Sequence, residues 1–348
     1  MTAVGLITLT RVYFSCLCCK LGGYPLDALL GLDGFLSKQA RRVACFIACN
    51  NSFAWTRAIL NEACGWFVSD ELLRHVCYRE GARIEAWLDV DEQAYQHFLA
   101  AAGQIEVEID AAKVNSVAGW RDIKIGIFAK REPGAKATPE KWEKRDLPEP
   151  TARMAFAKIE EAADFSKRCR DWADCLGVID TSEVSVLGDG AEWIWNLAQE
   201  SFPHAFEVLD VFHALEHFGT AAKKMHGEKT AEAEKWQDET RAKVLQDGWW
   251  GLCDQIGKTL TEQGEKTRGP MEELITYFSK HMTRMNYCAR LYAGRTIGSG
   301  MVEGAAKNLI GKRLKQTKAR WVVANVEKMA VLCCSHYSDT WAFYWTAA

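Results

Sequence analysis

The feature that most constrains the fold is a pair of segments in which apolar and other residues alternate strictly. In the first segment, apolar residues at 105, 107 and 109 alternate with Glu106, Glu108 and Asp110. In the second, isoleucines occupy positions 123, 125 and 127. Successive side chains of a strand point to opposite faces, so this period of two predicts two strands, in a hairpin or a meander.

Further strands and helices are predicted after this pair. Segment 132–150 is rich in prolines and charges and predicts a loop. We then expect a helix over 151–175, a strand over 184–187, a helix over 191–200 and a strand over 206–209. Helices are predicted over 213–290 and over 298–334, the latter with a possible break near Gly311. This order predicts an α/β layer that carries a helical insertion.

The region before the sheet has a different character. Residues 4–14 are rich in β-branched and aromatic types and predict a strand, which a cysteine cluster follows. Short helices are predicted over 37–49, 54–64 and 69–79, the outline of a helix-turn-helix domain. We therefore expect a small segment at 1–33, a helical DNA-binding domain at 34–80 and a linker at 81–104. The exposed readers of DNA on the third helix would be Arg74, His75 and Arg79.

The composition limits the class of protein and its partners. The chain has 348 residues, of which 48% are hydrophobic and 26% charged, as in a globular protein. Its net charge of −3 means that any nucleic-acid contact must come from local basic patches. The 13 cysteines show no regular framework, which predicts a reducing, cytoplasmic setting rather than a secreted disulfide scaffold. No segment predicts a signal peptide or a membrane span.

Carboxylates stand where the predicted elements end or begin. Asp110, Asp189 and Asp210 follow or end predicted strands, and Glu303 lies in the first turn of a helix after Gly298-Ser299-Gly300. Carboxylates that converge from separate elements are ligands for Mg²⁺ or Mn²⁺, and two such ions can promote phosphodiester displacement. Each residue also has an ordinary structural interpretation: a turn for Asp110, a helix cap for Asp189, and for Glu303 a helix-dipole partner that pairs with Lys307.

A run of basic residues follows Glu303. It could hold phosphates beside a metal site, or it could be a solvated helix face. Its members, with no acidic residue between them, are Lys307, Lys312, Arg313, Lys315, Lys318 and Arg320.

Together these residues resemble a bacterial insertion-sequence transposase of the Kra type, in the DDE group with an RNase H-like core, similar to Mutator-related lineages. The motifs that carry the resemblance are Gly188-Asp189-Gly190-Ala191-Glu192-Trp193-Ile194, Asp210-Val211-Phe212-His213, and Gly298-Ser299-Gly300-Met301-Val302-Glu303-Gly304. The most specific match runs from Ile297 to Trp321. The resemblance covers nearly the whole chain.

The resemblance implies roles for named residues. Asp110, Asp189 and Glu303 would be the catalytic carboxylates and would hold two Mg²⁺ or Mn²⁺ ions, while Asp210 and His213 would support them. The RNase H-like core would occupy 105–213 and 291–348, with the helical insertion at 214–290. The partner would be double-stranded DNA at the element's ends and at the target, and the protein would act as a homo-oligomer, associated with the nucleoid when bound to DNA.

Two positions depart from the family's pattern. Ala111 follows the first Asp where the family usually has Gly, so Glu106 and Glu108 are fallback candidates for that role. Cys16 and Cys19 have the C-x-x-C spacing of half a zinc ribbon, and the second pair of the family is missing upstream. Zinc at Cys16 and Cys19 would need Cys18, a distant Cys or His, or a ligand from a partner chain, and a broken ribbon would indicate truncation or a late start codon.

Two other functions compete with this interpretation. One is a zinc metalloprotease, because His213, Glu216 and His217 spell the H-x-x-E-H motif. The other is a catalytically inactive transposase remnant that binds DNA through its helix-turn-helix.

Overall fold

The structure is a computed structural model that describes residues 1–179, 181, 183–316 and 319–347, so the predicted DNA contact Lys318 lies outside the described residues. The chain begins with short elements: β1 Phe14–Ser15, β2 Gly22–Gly23, α1 Pro25–Leu29, β3 Leu32–Asp33 and β4 Leu36–Ser37. The prediction of a strand over 4–14 is wrong except at Phe14, which pairs with Gly23. Apolar side chains such as Val4 and Leu6 are exposed there, so no core holds the segment in a sheet.

Four helices follow: α2 Lys38–Ala48, α3 Phe53–Cys64, α4 Asp70–Val90 and α5 Gln93–Ala100. The hydroxyls of Ser37, Ser52 and Ser69 accept hydrogen bonds from backbone N–H groups three residues later and so cap α2, α3 and α4. The starts of these helices were therefore visible in the sequence. The predicted linker at 81–104 is wrong, because α4 continues to Val90 and α5 follows almost at once.

A five-stranded sheet forms the centre of the molecule. Its strands are β5 Gln104–Ser116, β6 Gly119–Arg131, β7 Ala152–Lys158, β8 Val184–Gly188 and β9 Phe206–Leu209. Their order across the sheet is β7-β6-β5-β8-β9. The predicted hairpin is confirmed, since β5 and β6 pair antiparallel along their whole length, and β7 continues the meander. β8 runs parallel to β5, and β9 runs parallel to β8.

The helix predicted at 151–175 is correct only in its second part. Residues 152–158 form β7 because their backbone pairs with the edge of β6, and α6 begins at Ala162. The other helices are α6 Ala162–Cys175, α7 Glu192–Ser201, α8 Val211–His226, α9 Ala231–Gln263, α10 Arg268–Phe278, α11 Tyr287–Tyr292, α12 Gly300–Ala305, α13 Lys312–Leu314, α14 Val323–Tyr337 and α15 Thr340–Ala347. A kink at Gly248 divides α9, and a π-helical turn joins α12 to α13.

Each face of the sheet packs against its own hydrophobic core. Val107, Ile109 and Phe128 point into a core to which helices α6 to α11 contribute. The three isoleucines of β6 point into the other core, which α2, α4, α12 and α14 complete. The N-terminal helices therefore share a core with the C-terminal helix α14. The fold is α/β, and no helix in the described residues is long and apolar enough to cross a membrane.

Candidate active site

The edge of β5 that faces β8 is covered at two places and open between them. β8 pairs with residues 105–108, whereas Trp321 bridges to Ser116 further along the same edge. Asp110 lies in the open stretch and is half-buried. The sequence placed Asp110 at the end of a strand. The structure instead places it within β5, two residues beyond the last residue that pairs with β8.

Asp189 follows the last residue of β8 and forms the turn into α7. Its Oδ1 accepts a hydrogen bond from the backbone N–H of Ala191 at 2.9 Å. The hydroxyl of Tyr277, from α10, donates to the backbone oxygen of Asp189 at 3.0 Å. Gly190 is at φ +95°, and a Cβ there would overlap the Tyr277 hydroxyl. Because Gly190 has no Cβ, α10 can pack against the turn that holds Asp189.

Asp210 is completely buried at the start of α8. Its Oδ1 accepts from the backbone N–H groups of Phe212, at 2.6 Å, and His213, at 3.4 Å, which caps the helix. Its Oδ2 accepts from the N–H of Ser299, at 2.9 Å, and from the Ser299 hydroxyl. Both oxygens are engaged, so Asp210 holds the start of α8 against the turn before α12.

Glu303 completes the set of predicted carboxylates. It lies in α12, directly after the turn that Asp210 holds, and shares a pocket of about 160 Å³ with Asp110 and Asp189. The volume exceeds the roughly 30 Å³ that a water molecule occupies in the liquid, so there is room for ions with water ligands. The pocket is lined by Ile109, Asp110, Asp189, Asp210, His213, Glu216, Ser299 and Glu303.

Carboxylates predominate among the side chains that line the pocket. Burial and the neighbouring Asp210 carboxylate raise the pKa of Glu303 to about 7. Burial is also the main cause that raises the pKa of Asp110, and the Asp189 carboxylate adds to it. Raised carboxyl pKa values of this kind are common at sites that bind a cation or exchange a proton.

The three carboxylates surround the pocket without forming a tight cage. Among the described residues, three potential ligand atoms lie within 4.8 Å of one another at Cys16, Cys18 and Cys19, but not at the three carboxylates. A single ion bound by all three carboxylates would require a closer group. Two ions about 3.5–4 Å apart can be held by ligands that are spread more widely.

The fallback candidates for the first carboxylate have structural roles. Glu106 is buried and forms an ion pair with Arg131 at 2.9 Å. Glu108 is buried and accepts a hydrogen bond from the backbone N–H of Val302 at 2.8 Å. Neither lines the pocket. Of the three acidic residues on this face of β5, Asp110 is the one that lines the pocket, although Ala111 follows it.

The H-x-x-E-H residues do not form a zinc site in this arrangement. The His213 and His217 rings are 5.1 Å apart, and His217 stacks on Tyr277 at 3.9 Å, which joins α8 to α10. In the part of the chain that the structure describes, the two histidines have no third His, Cys, Asp or Glu close enough to complete a zinc site with them, and Glu216 would be the general base rather than a ligand. His213 and Glu216 line the pocket, where His213 Nδ1 lies 3.6 Å from Glu216, and His217 does not.

The basic residues after Glu303 divide into two groups. Lys307, Lys312, Lys315 and Arg320 are exposed. Arg313 is only 1% exposed, and its Nε donates to the backbone oxygen of Ala48 at 2.6 Å. The prediction that Arg313 contacts DNA is therefore wrong, because its charge is used inside the protein. On α4, Arg74 and His75 are exposed, and Arg79 is half-buried.

The N-terminal cysteines form a separate cluster. The Cys16 and Cys18 sulfur atoms are 2.9 Å apart, and Cys19 lies within 4.8 Å of both. The hydrogen bond with Cys18 is the main cause that lowers the pKa of Cys16 to about 6. The predicted pair of Cys16 and Cys19 thus gains Cys18 as a third potential ligand.

Two contacts of the pocket could not be found from the sequence. Tyr277 carries no motif, and it lies 88 residues from Asp189. Ser299 belongs to a recognisable motif, but nothing local shows that its partner is Asp210. Comparison of the chain with models of known protein families and with curated proteins finds no match. The function is therefore inferred from the chemistry of the pocket.

Proposed function

We propose that the chain is a DDE transposase that cuts and joins DNA strands at insertion-sequence ends by metal-assisted phosphoryl transfer. One observation carries the proposal. Asp110 from β5, Asp189 from the end of β8 and Glu303 from α12 are far apart in sequence, yet they line one pocket. Convergence of three carboxylates from separate elements is the arrangement that a divalent-ion site needs.

The sheet supports the proposal of an RNase H-like core. An antiparallel meander is followed by two parallel strands, with Asp110 on the central strand and Asp189 directly after the end of its parallel neighbour. Helices α8 to α11 separate Asp189 from Glu303 in the chain, which fits an insertion within such a core. The contact of Tyr277 with Asp189 would then be how the insertion supports the active site.

Mg²⁺ or Mn²⁺ fits the donors of the pocket. Asp110, Asp189 and Glu303 offer the hard oxygen atoms that these ions prefer, and their mutual repulsion would be relieved by a cation. When bound, two divalent ions would activate the attacking oxygen and stabilise the leaving oxygen of a phosphodiester. Asp210 would not be a ligand, because both of its oxygens already accept hydrogen bonds.

Residues of the chain would bind the DNA phosphates and transfer protons. Lys307, four residues after Glu303, is exposed and can bind a phosphate beside the pocket. Lys312, Lys315 and Arg320 can bind phosphates further along the duplex. Glu303, with its pKa of about 7, can take up or release a proton at neutral pH until a cation replaces that proton. Because a transposase of this kind would act on two element ends held together, we expect two copies of the chain to act together.

Strand nicking of a duplex that carries the element's end tests this function. Asp189→Asn keeps an oxygen that can accept from Ala191, so its turn should persist while the charge is lost. We expect Asp189→Asn and Glu303→Gln to lower the nicking rate at least about 100-fold in Mg²⁺ or Mn²⁺. Glu272→Gln, which replaces an exposed acidic residue of α10 outside the pocket, is the matched control and should retain activity.

The outcomes separate the competing functions. Equal nicking by wild type and Asp189→Asn would exclude the carboxylate site. A wild-type protein that binds the element's ends but never nicks them would be an inactive remnant. Peptide cleavage that is lost in His217→Phe would instead support the metalloprotease.

A zinc ion bound by Cys16, Cys18 and Cys19 is a further part of the proposal. Three thiol groups at this spacing suit a soft or borderline cation, and the lowered pKa of Cys16 favours the thiolate that such an ion requires. The metal content of the purified chain tests it. We expect bound zinc in the wild type and its loss in Cys18→Ser, with Cys64→Ser, an exposed cysteine elsewhere, as the control.

A further inference from the structure

The turn that joins β5 to β6 presents an exposed aromatic surface, which we call the hairpin tip (residues 116–121). Trp120 is 61% exposed and Val117 is 57% exposed. Large apolar side chains of this kind cost free energy in water, and Trp120 makes no contribution to either hydrophobic core. An exposed indole at a rigid position is available to bind a flat ligand.

The hairpin tip is held rigidly. The Ser116 hydroxyl donates to the backbone oxygen of Gly119 at 2.6 Å, which closes the turn. The N–H of Val117 donates to the Trp321 oxygen at 2.8 Å, and the N–H of Trp321 donates to the Asn115 oxygen at 3.1 Å. The tip is thus fixed between β6 and the segment around Trp321.

That same segment brings positive charge to the hairpin tip. The Arg320 guanidinium lies 3.4 Å from the Val117 oxygen. Arg121, in the tip, is exposed, and so is Lys315, which follows Leu314, whose backbone oxygen accepts from the Trp321 indole N–H at 3.0 Å. The acidic residue next to the tip, Asp122, is paired with Lys113 at 2.8 Å. An exposed aromatic ring among cations is the combination that binds single-stranded nucleic acid, through base stacking and phosphate contacts.

We propose that the hairpin tip binds unpaired DNA, with a base stacked on Trp120 and the adjoining phosphates on Arg320 and Lys315. A duplex hides the faces of its bases except at its ends, so the ligand is a single strand or a frayed end. The place of this strand in the reaction rests on the proposed function: it would be the strand separated beside the cut. Asp110 lies six residues from Ser116 along β5, about 20 Å at a strand's rise.

Binding of a labelled twelve-nucleotide oligo(dT) to the full chain tests the inference, by fluorescence anisotropy in the presence of a chelator. We expect Trp120→Ala to weaken binding by about 5- to 100-fold, the range for losing one stacked base. Trp120→Phe keeps a ring and should retain most of the affinity. The matched control is Trp250→Ala, since Trp250 is 75% exposed but lies in the helical insertion, and it should bind as the wild type does.

A second ligand separates stacking from charge. The same oligonucleotide with abasic sites keeps its phosphates, so it should bind more weakly than oligo(dT) to the wild type and equally weakly to Trp120→Ala. Equal binding of oligo(dT) by wild type and Trp120→Ala would overturn the inference, as would an equal loss in Trp250→Ala. Because no cleavage is measured, this failure is distinct from a failure to nick DNA.

Discussion

Asp210 and Ser299 are joined by two hydrogen bonds, because Asp210 Oδ2 accepts from both the N–H and the hydroxyl of Ser299. The first residue caps α8, and the second precedes α12, which carries Glu303. The two segments are 89 residues apart in the chain. The position of Glu303 beside the ends of the strands therefore depends on a buried contact with a residue that does not need to touch any ligand.

Loss of the Asp210 charge should destabilise the protein even though the side chain keeps its shape. In Asp210→Asn, one oxygen can still cap α8, but the amide group would face the N–H donor of Ser299. We expect the free energy of unfolding in urea to fall by about 2–3 kcal/mol, as for the loss of a buried hydrogen bond to a charged group. Ser299→Ala, which keeps the N–H, should lose only about 1 kcal/mol. If both variants unfold at the same urea concentration, Asp210 does not act in this way.

The close approach of α4 and α14 should depend on Gly81. A Cβ at this position would overlap the backbone oxygen of Lys328, which cannot turn away as a side chain can. We expect Gly81→Ala to lower the free energy of unfolding by about 1–3 kcal/mol, as overpacking does. The control is Gly257→Ala in α9, where a Cβ meets nothing within 4 Å. That change should raise stability by up to about 1 kcal/mol through helix propensity.

The sequence revealed the features that have local causes. Ser69 marks the start of α4, and alternation marks β5 and β6. The local motifs also predict the position of Asp189 after a strand and of Glu303 in the first turn of a helix, as the structure has them. The composition of segment 152–158 suits both a helix and a strand. Only its pairing with the edge of β6 makes it a strand. Likewise, α4 extends through the predicted linker because α14 packs along it.

A buried histidine should make the protein sensitive to acid. Burial is the main cause that lowers the pKa of His281 from 6.5 to about 4, and the Arg284 cation, whose Nη1 lies 3.1 Å from His281 Nδ1, contributes. The unfolded chain binds a proton on His281 below about pH 6.5, whereas the folded chain does so only near pH 4. Stability from this residue is therefore complete above pH 6.5 and is lost as the pH falls toward 4.

Urea unfolding at pH 7.5 and pH 5 measures this effect. From the two pKa values, His281 should account for a loss of about 2 kcal/mol between these conditions. His281→Gln, which can still accept from Arg284, should lose less stability on acidification than the wild type. His75→Gln replaces an exposed histidine on α4 and should behave as the wild type does. An unchanged acid sensitivity in His281→Gln would contradict the assignment.

Arg313 and Lys315 should respond oppositely to substitution, although both belong to the basic run that the sequence predicts to bind DNA. The Arg313 guanidinium lies over the rings of Phe53 and Trp321, at 4.5 and 5.0 Å, and bonds to the Ala48 oxygen. Composition cannot show this, because the partners come from α2, α3 and the segment after α13. We expect Arg313→Ala to lower the free energy of unfolding by about 2–3 kcal/mol.

Lys315→Ala should leave stability within about 0.5 kcal/mol of the wild type, since its side chain is exposed. It should instead reduce the salt dependence of duplex binding, with the slope of log K against log salt falling by about one for the lost phosphate contact. Urea unfolding and anisotropy titrations at several salt concentrations measure the two effects. If Arg313→Ala were as stable as the wild type and changed the salt slope, Arg313 would be a DNA contact after all. The protein would then have to expose Arg313 when DNA binds, whereas Lys315 is already exposed.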